Sequence, residues 1–154
     1  MGETSGSNRM RPKLGKTRKK NKYPAKKVSA TVKHDDFYIS ENNRLTYSYK
    51  LDVKNKIAEV TCVSLDIKIQ DEWMTIVYYD SYHEGQLHRH PRISYFDPSD
   101  APTMFGVKRK GSQNKLLRWA IKDIENNWLV YKQGFIKRSN ISNNNTDIPE
   151  IELY

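Results

Sequence analysis

Leu45-Thr46-Tyr47-Ser48-Tyr49-Lys50-Leu51-Asp52-Val53 alternates without a break, with five apolar or aromatic residues separated by four polar ones. Successive side chains of a strand point to opposite faces, so this pattern predicts a strand buried on one face and wetted on the other. Such a strand needs antiparallel neighbours and one covering layer. Both can be read downstream. Lys54-Asn55-Lys56 reads as a turn, and Ile57 to Ile69 as a second strand in which Val63, Leu65, Ile67 and Ile69 alternate with Ser64, Asp66 and Lys68. After a tight turn at Gln70-Asp71-Glu72, Trp73 to Tyr79 is apolar on both faces and reads as a third, central strand. Leu87 to Phe96 reads as a fourth. Pro91 has no N–H to give to a ladder, which places this strand at an edge or starts it after the proline. Phe37 to Ile39 gives only a short additional strand signal.

The covering layer is a helix. Leu117, Ile121, Ile124, Trp128, Tyr131 and Phe135 step by fours and threes and draw one apolar stripe. Ser112 is the expected N-cap and Gly134 the expected C-cap glycine. Lys122, Asp123, Glu125 and Asn126 fall on the opposite, solvated side, Trp119 lies off the stripe, and Trp73 and Trp128 take core positions. The fold expected is therefore α+β: an antiparallel meander of about four strands packed on one C-terminal amphipathic helix. It occupies residues 28–138, between unstructured tails at 1–27 and 139–154.

The charge is unevenly placed. The chain carries a net +9, and residues 1–27 alone hold ten cations against Glu3, so the remainder is neutral in sum. With almost no apolar residues, this leader cannot repay the entropy of ordering and is expected to be disordered when free. A dense cationic arm gains by releasing counterions from a polyphosphate, which makes Arg11, Lys13, Lys16, Arg18, Lys19 and Lys20 candidate nucleic-acid contacts. Within the rest, residues 85–138 carry a net +7, residues 28–84 a net −4 and the last sixteen residues a net −3. Arg89, Arg92 and Lys108-Arg109-Lys110 are the candidate extension of the basic footprint. A solvated charged loop is the equal alternative for Lys108-Arg109-Lys110.

Other classes are set aside by composition. No stretch approaches the roughly 18 consecutive apolar residues of a membrane span, and no apolar segment follows the N-terminal charges as in a signal peptide. Cys62 is the only cysteine, so neither an internal disulfide nor a cysteine-cluster zinc site can form. A reducing, cytoplasmic setting is expected, without a membrane partner, and the sequons at Asn140 and Asn144 carry no weight there.

Three of the four histidines fall in Asp80-Ser81-Tyr82-His83-Glu84-Gly85-Gln86-Leu87-His88-Arg89-His90. His88 and His90 are two apart and would share one face of a strand, while Asp80 ends the neighbouring strand across a short loop. Asp80, His83, His88 and His90 are accordingly the candidate catalytic residues. Imidazoles with a carboxylate can hold a divalent metal. A histidine pair can also act as acid and base near neutral pH, with an arginine neutralising phosphate, as metal-independent RNA cleavage requires. An exposed polar patch or interaction surface is the third reading, and spacing alone leaves all three open.

The run Val77-Tyr78-Tyr79-Asp80, then His83, then His88-Arg89-His90, resembles a signature of the TumE-like toxin class of toxin–antitoxin proteins and of a related uncharacterised prokaryotic family. The helix run Trp119 to Trp128 is similar to the uncharacterised relatives, and the resemblance covers about residues 60 to 135. Ser81 stands where the toxin pattern usually has Asn, and the histidine loop is shorter. The resemblance implies a toxin-like α+β scaffold with Asp80, His83, His88 and His90 as its positions of interest, and a cognate antitoxin as a partner. Together with the leader, it makes a nucleic-acid-directed protein the expectation, with RNA as substrate and a ribonuclease activity. The alternative is a non-catalytic nucleic-acid-binding or protein–protein accessory module.

Overall fold

A computed structural model describes residues 28–82, 85–101 and 108–142. The leader with its six candidate cations, His83 and residues 143–154 lie outside the described residues. Strands β1 (Val28–Ser40), β2 (Asn43–Asp52), β3 (Ile57–Ile69), β4 (Glu72–Asp80), β5 (Leu87–Pro91) and β6 (Lys108–Arg109) form one antiparallel sheet in chain order. Helix α1 (Gln113–Ser142) follows.

The meander is longer than the four strands expected. β1 pairs with β2 from Val28↔Asp52 to Ser40↔Asn43, although Lys33-His34-Asp35-Asp36 interrupts any alternation within it. As an edge strand it leaves these side chains exposed, so no burial pattern marks the sequence. β6 is only two residues long and pairs Leu87↔Arg109 and His88↔Lys108. β5, conversely, stops at Pro91 rather than reaching Phe96. One more ladder bond runs from Arg92 N to the Ile76 carbonyl at 2.9 Å, and the chain then turns through Ser94 and Asp97. At the β3–β4 hairpin Gln70 and Asp71 both take positive φ (49° and 63°), as a two-residue turn matching the sheet twist demands.

α1 runs through Gly134 instead of ending there. Two further turns are held by the chain leaving β5: Arg138 donates to the carbonyls of Ile93 (2.8 Å) and Arg92 (3.0 Å). Buried Ser139 accepts from Tyr95 N (2.9 Å) while donating to the Phe135 carbonyl (2.8 Å). Tertiary contacts thus outweigh the local preference of a glycine for a helix end.

The core lies between one face of the sheet and α1. Leu45, Val63, Leu65, Ile67, Ile69, Tyr79 and Leu87 meet Leu116, Leu117, Ala120, Ile124 and Phe135, all buried. Ile121, Trp128 and Tyr131 complete the stripe at its half-buried margin. Burying each large apolar side chain contributes about 1.5–3 kcal/mol, so this single interface carries the fold. Among the described residues no helix covers the other sheet face, which is held by paired polar groups. Thr46 Oγ1 and Ser64 Oγ lie 2.6 Å apart, as do Ser48 Oγ and Thr61 Oγ1. Arg44 meets Asp66 at 3.2 Å, and Lys50 meets Glu59 at the same distance. Trp73 belongs to this open face, not to the core expected for it: the Arg44 guanidinium sits 4.4 Å over its ring and Tyr38 packs edge-on at 5.9 Å. Among the described residues no helix is long and apolar enough to cross a membrane.

Candidate functional site

The β4–β5 hairpin sorts the candidate residues onto two faces. Its register pairs Asp80↔His88, Tyr79↔Arg89, Tyr78↔His90 and Val77↔Pro91. Directly opposed residues of an antiparallel pair share a face. Asp80, His88, Tyr78 and His90 therefore stand on the open face, and Tyr79 with Arg89 faces α1.

On the open face His90 is fixed from three sides. Its ring stacks on Tyr78 at 4.6 Å between centroids and 13° between planes. Nδ1 lies 2.7 Å from Asp100 Oδ2. Nε2 lies 3.5 Å from Asp80 Oδ2, is sheltered from solvent and makes no hydrogen bond among the described residues. The His88 ring stands 6.5 Å from that of His90. Asp100 reaches this place because the loop after β5 folds back: Ala101 N bonds the Pro91 carbonyl at 2.6 Å, and Arg92 bridges to Asp100. A small cleft of about 150 Å³ opens beside the ring, lined by Thr75, Tyr78, His90, Arg92, Pro98 and Asp100. Burial, then the charges of Asp100 and Asp80, hold the Tyr78 hydroxyl above its ordinary pKa, so it stays a neutral donor. Among the described residues no three His, Cys, Asp or Glu side chains are gathered closely enough to surround a metal ion. Burial pushes the Cys62 thiol up to about 11, which leaves it inert at neutral pH.

Under α1 the same hairpin builds a second polar group. Asp123, expected on the solvated helix side, instead accepts hydrogen bonds from Tyr79 (2.6 Å) and Tyr131, and from Asn127 Nδ2 at 3.1 Å. Arg89 Nη1 donates to Tyr131 Oη at 3.1 Å. Helical periodicity puts Asp123 one position from Ile124 and cannot announce a carboxylate that turns inward to meet two tyrosines. Burial, with the bond to Asp123, raises the pKa of both tyrosines.

The remaining candidates are placed as follows. Arg92 spends its guanidinium on the carbonyls of Ser94 and Tyr95, both at 2.9 Å. Lys108 and Arg109 form the β6 edge; Arg109 is exposed and lies 4.4 Å over Trp119, which itself packs edge-on against Tyr79 at 5.7 Å. Lys110 is exposed in the link to α1. Ser81, the departure from the toxin pattern, is buried: its hydroxyl meets Gln113 Oε1 at 2.6 Å and accepts from Val60 N at 2.9 Å. Gln113 also bonds the Gly85 carbonyl at 2.9 Å, which ties the start of α1 to the hairpin loop. Sequence reasoning missed Asp100 and Tyr78. Tyr78 was two residues before Asp80 and so on its face. Asp100 had no local signal, because only the return of the loop brings it to His90.

The architecture defines a small α+β class, a meander sheet with one face covered by a helix and the other carrying His88 and His90. The chain belongs to the family described as Domain of unknown function (DUF7718), which matches residues 32–141 and so reaches from β1 into the last turn of α1. No curated protein and no solved structure matches the chain.

Proposed function

We propose that this protein acts on RNA: the basic leader and the open sheet face engage the strand, and Asp80, His88 and His90 meet a phosphodiester. The observation that carries the reading is the company these residues keep. Tyr38 (61 % exposed), Trp73, Arg44, Tyr78, His88 and His90 share the sheet face opposite α1, which no described helix covers. Sheet surfaces that bind single-stranded RNA stack bases on such aromatics and contact phosphates through neighbouring cations. A leader with ten cations supplies the long-range attraction. His90, oriented by Asp100, and His88 beside it then stand where a bound strand passes, in keeping with toxin-like ribonuclease activity and with an antitoxin that covers the face.

A second reading is an RNA-binding or accessory module without cleavage. It is favoured by the internal pairing of cations on the open face, Arg44 with Asp66, Lys50 with Glu59 and Lys68 with Asp71. The test is RNA cleavage by purified protein against a His88→Ala/His90→Ala double variant whose folding is verified by circular dichroism. Cleavage lost with binding retained supports the catalytic reading. Undiminished cleavage in the double variant overturns it. Binding by both proteins with cleavage by neither supports the module.

A further inference from the structure

Between Arg109 and Lys122 the chain carries five cations, Arg109, Lys110, Lys115, Arg118 and Lys122, and no acidic residue. All five are exposed, and among the described residues none of them makes an ion pair. The open sheet face is the reverse: Arg44, Lys50 and Lys68 are each held by a carboxylate. Lys115, Arg118 and Lys122 stand at i, i+3 and i+7, so they draw one stripe on the solvent side of α1, about 10 Å long. Asp123, next in the chain, does not neutralise the stripe, because it turns inward to Tyr79 and Tyr131. The first turn of the helix holds no acid. β6 connects the stripe to the histidines. Its register pairs Leu87↔Arg109 and His88↔Lys108, so position 108 belongs to the open face and position 109 to the face of α1. Arg109 is steadied there with its guanidinium 4.4 Å over the Trp119 ring. At the start of α1 a cleft of about 800 Å³ opens against the β2–β3 turn, where Lys56 lines it and no carboxylate among the described residues does.

We infer that these cations form a phosphate track: a nucleic-acid strand lying on the open face passes over the β6 edge beside His88, and its backbone continues along the stripe of Lys115, Arg118 and Lys122. A polyphosphate favours such cations, because each contact releases a condensed counterion and breaks no existing ion pair. Contacts of this kind hold a strand in place without reading its bases, which leaves recognition to the aromatic side chains of the open face. The positive end of the α1 dipole lies at the same end of the stripe and adds to its field. An acidic protein surface is the poorer fit. Protein interfaces form around an apolar core, and none of the exposed large apolar side chains lies between Arg109 and Lys122.

The track rests on the reading of the protein as directed to RNA, but not on cleavage by the histidines, and the two fail separately. Binding of a short uridine oligonucleotide to the full chain is followed by fluorescence anisotropy between about 50 and 200 mM salt. Each phosphate contact to a single strand contributes about 0.7 to the slope of log affinity against log salt. Lys115→Gln/Arg118→Gln/Lys122→Gln should therefore lower the slope by about 2 and the affinity at low salt roughly 100-fold. Lys33→Gln/Lys54→Gln/Lys137→Gln removes the same charge from exposed positions elsewhere and should keep the slope. Equal losses in the two triple variants overturn the inference, since affinity then follows net charge and not place. Tight binding by the first variant with its slope intact also overturns it, and leaves the open-face reading standing. The expected slope change on an RNA that is never cleaved supports the track and refutes the catalytic reading. Polyglutamate that binds where the oligonucleotide does not makes the partner an acidic protein and overturns the inference. Should circular dichroism show the first variant misfolded, the unaltered protein decides by nuclear magnetic resonance. The Trp119 indole beneath Arg109 must shift when the oligonucleotide is added, and an unmoved indole overturns the track.

Discussion

Replacing Asp123 by alanine tests whether the hairpin that bears the histidines is held in place from beneath. Asp123 accepts from Tyr79 at 2.6 Å and from Tyr131, and Tyr79 is wholly buried between Tyr78 and Asp80, the two residues that address His90. A hydrogen bond to a charged group contributes about 1.5–3 kcal/mol. Because Tyr131 and Asp123 are only half-buried, the lower end applies, and Asp123→Ala should cost about 3 kcal/mol. Asp123→Asn retains an acceptor and the side-chain shape, so its cost should be about half of that. Urea unfolding followed by tryptophan fluorescence measures both, and the alanine variant should lose roughly 12 °C in Tm. A double-mutant cycle with Tyr79→Phe should return a coupling above about 0.5 kcal/mol. A loss below about 0.5 kcal/mol for Asp123→Ala, or additive effects in the cycle, would refute the reasoning.

Two more outcomes follow from the same packing. Tyr79 and Tyr131 have pKa values raised above 10.0 by burial and by Asp123, so the folded state keeps them neutral after the unfolded chain begins to ionise. Their contribution is complete below about pH 10 and is lost as pH rises beyond it. Unfolding at alkaline pH should therefore become easier, and Tyr79→Phe should flatten that dependence. Gly134→Ala should change stability by less than about 1 kcal/mol, because the helix propensity gained inside α1 is offset by the 3.1 Å approach of the new Cβ to Arg138 Nη1, whose guanidinium is anchored to the Ile93 and Arg92 carbonyls. If Gly134 capped the helix instead, the same change would destabilise it by more than this, and thermal melts give the size.

What the sequence revealed follows from where each element keeps its information. β2, β3 and α1 write their burial into periodicity, so Leu45 to Val53 and the stripe from Leu117 to Phe135 located them directly. β1 is exposed on its outer edge and wrote none, which hid a thirteen-residue strand behind Lys33-His34-Asp35-Asp36. The helix end was misplaced because Arg138 and Ser139 are anchored by Ile93 and Tyr95, contacts more than forty residues away in the chain. At the site, spacing correctly put His88 and His90 beside Asp80. It also offered Arg89 to the same chemistry, whereas strict alternation turns Arg89 to the opposite face and onto Tyr131. Asp100 was invisible for the reason that makes it informative: a loop closes on Pro91 and delivers a carboxylate to a histidine ten residues earlier.

The most direct test of an RNA-engaging sheet face is a nuclear magnetic resonance titration of labelled protein with a short single-stranded RNA. Resonances of Tyr38, Trp73, Tyr78, His88 and His90 should shift together and saturate, while Tyr79, Asp123 and Tyr131 under the helix stay in place. Shifts confined to the helix side, or none on the open face at saturating RNA, would contradict the account.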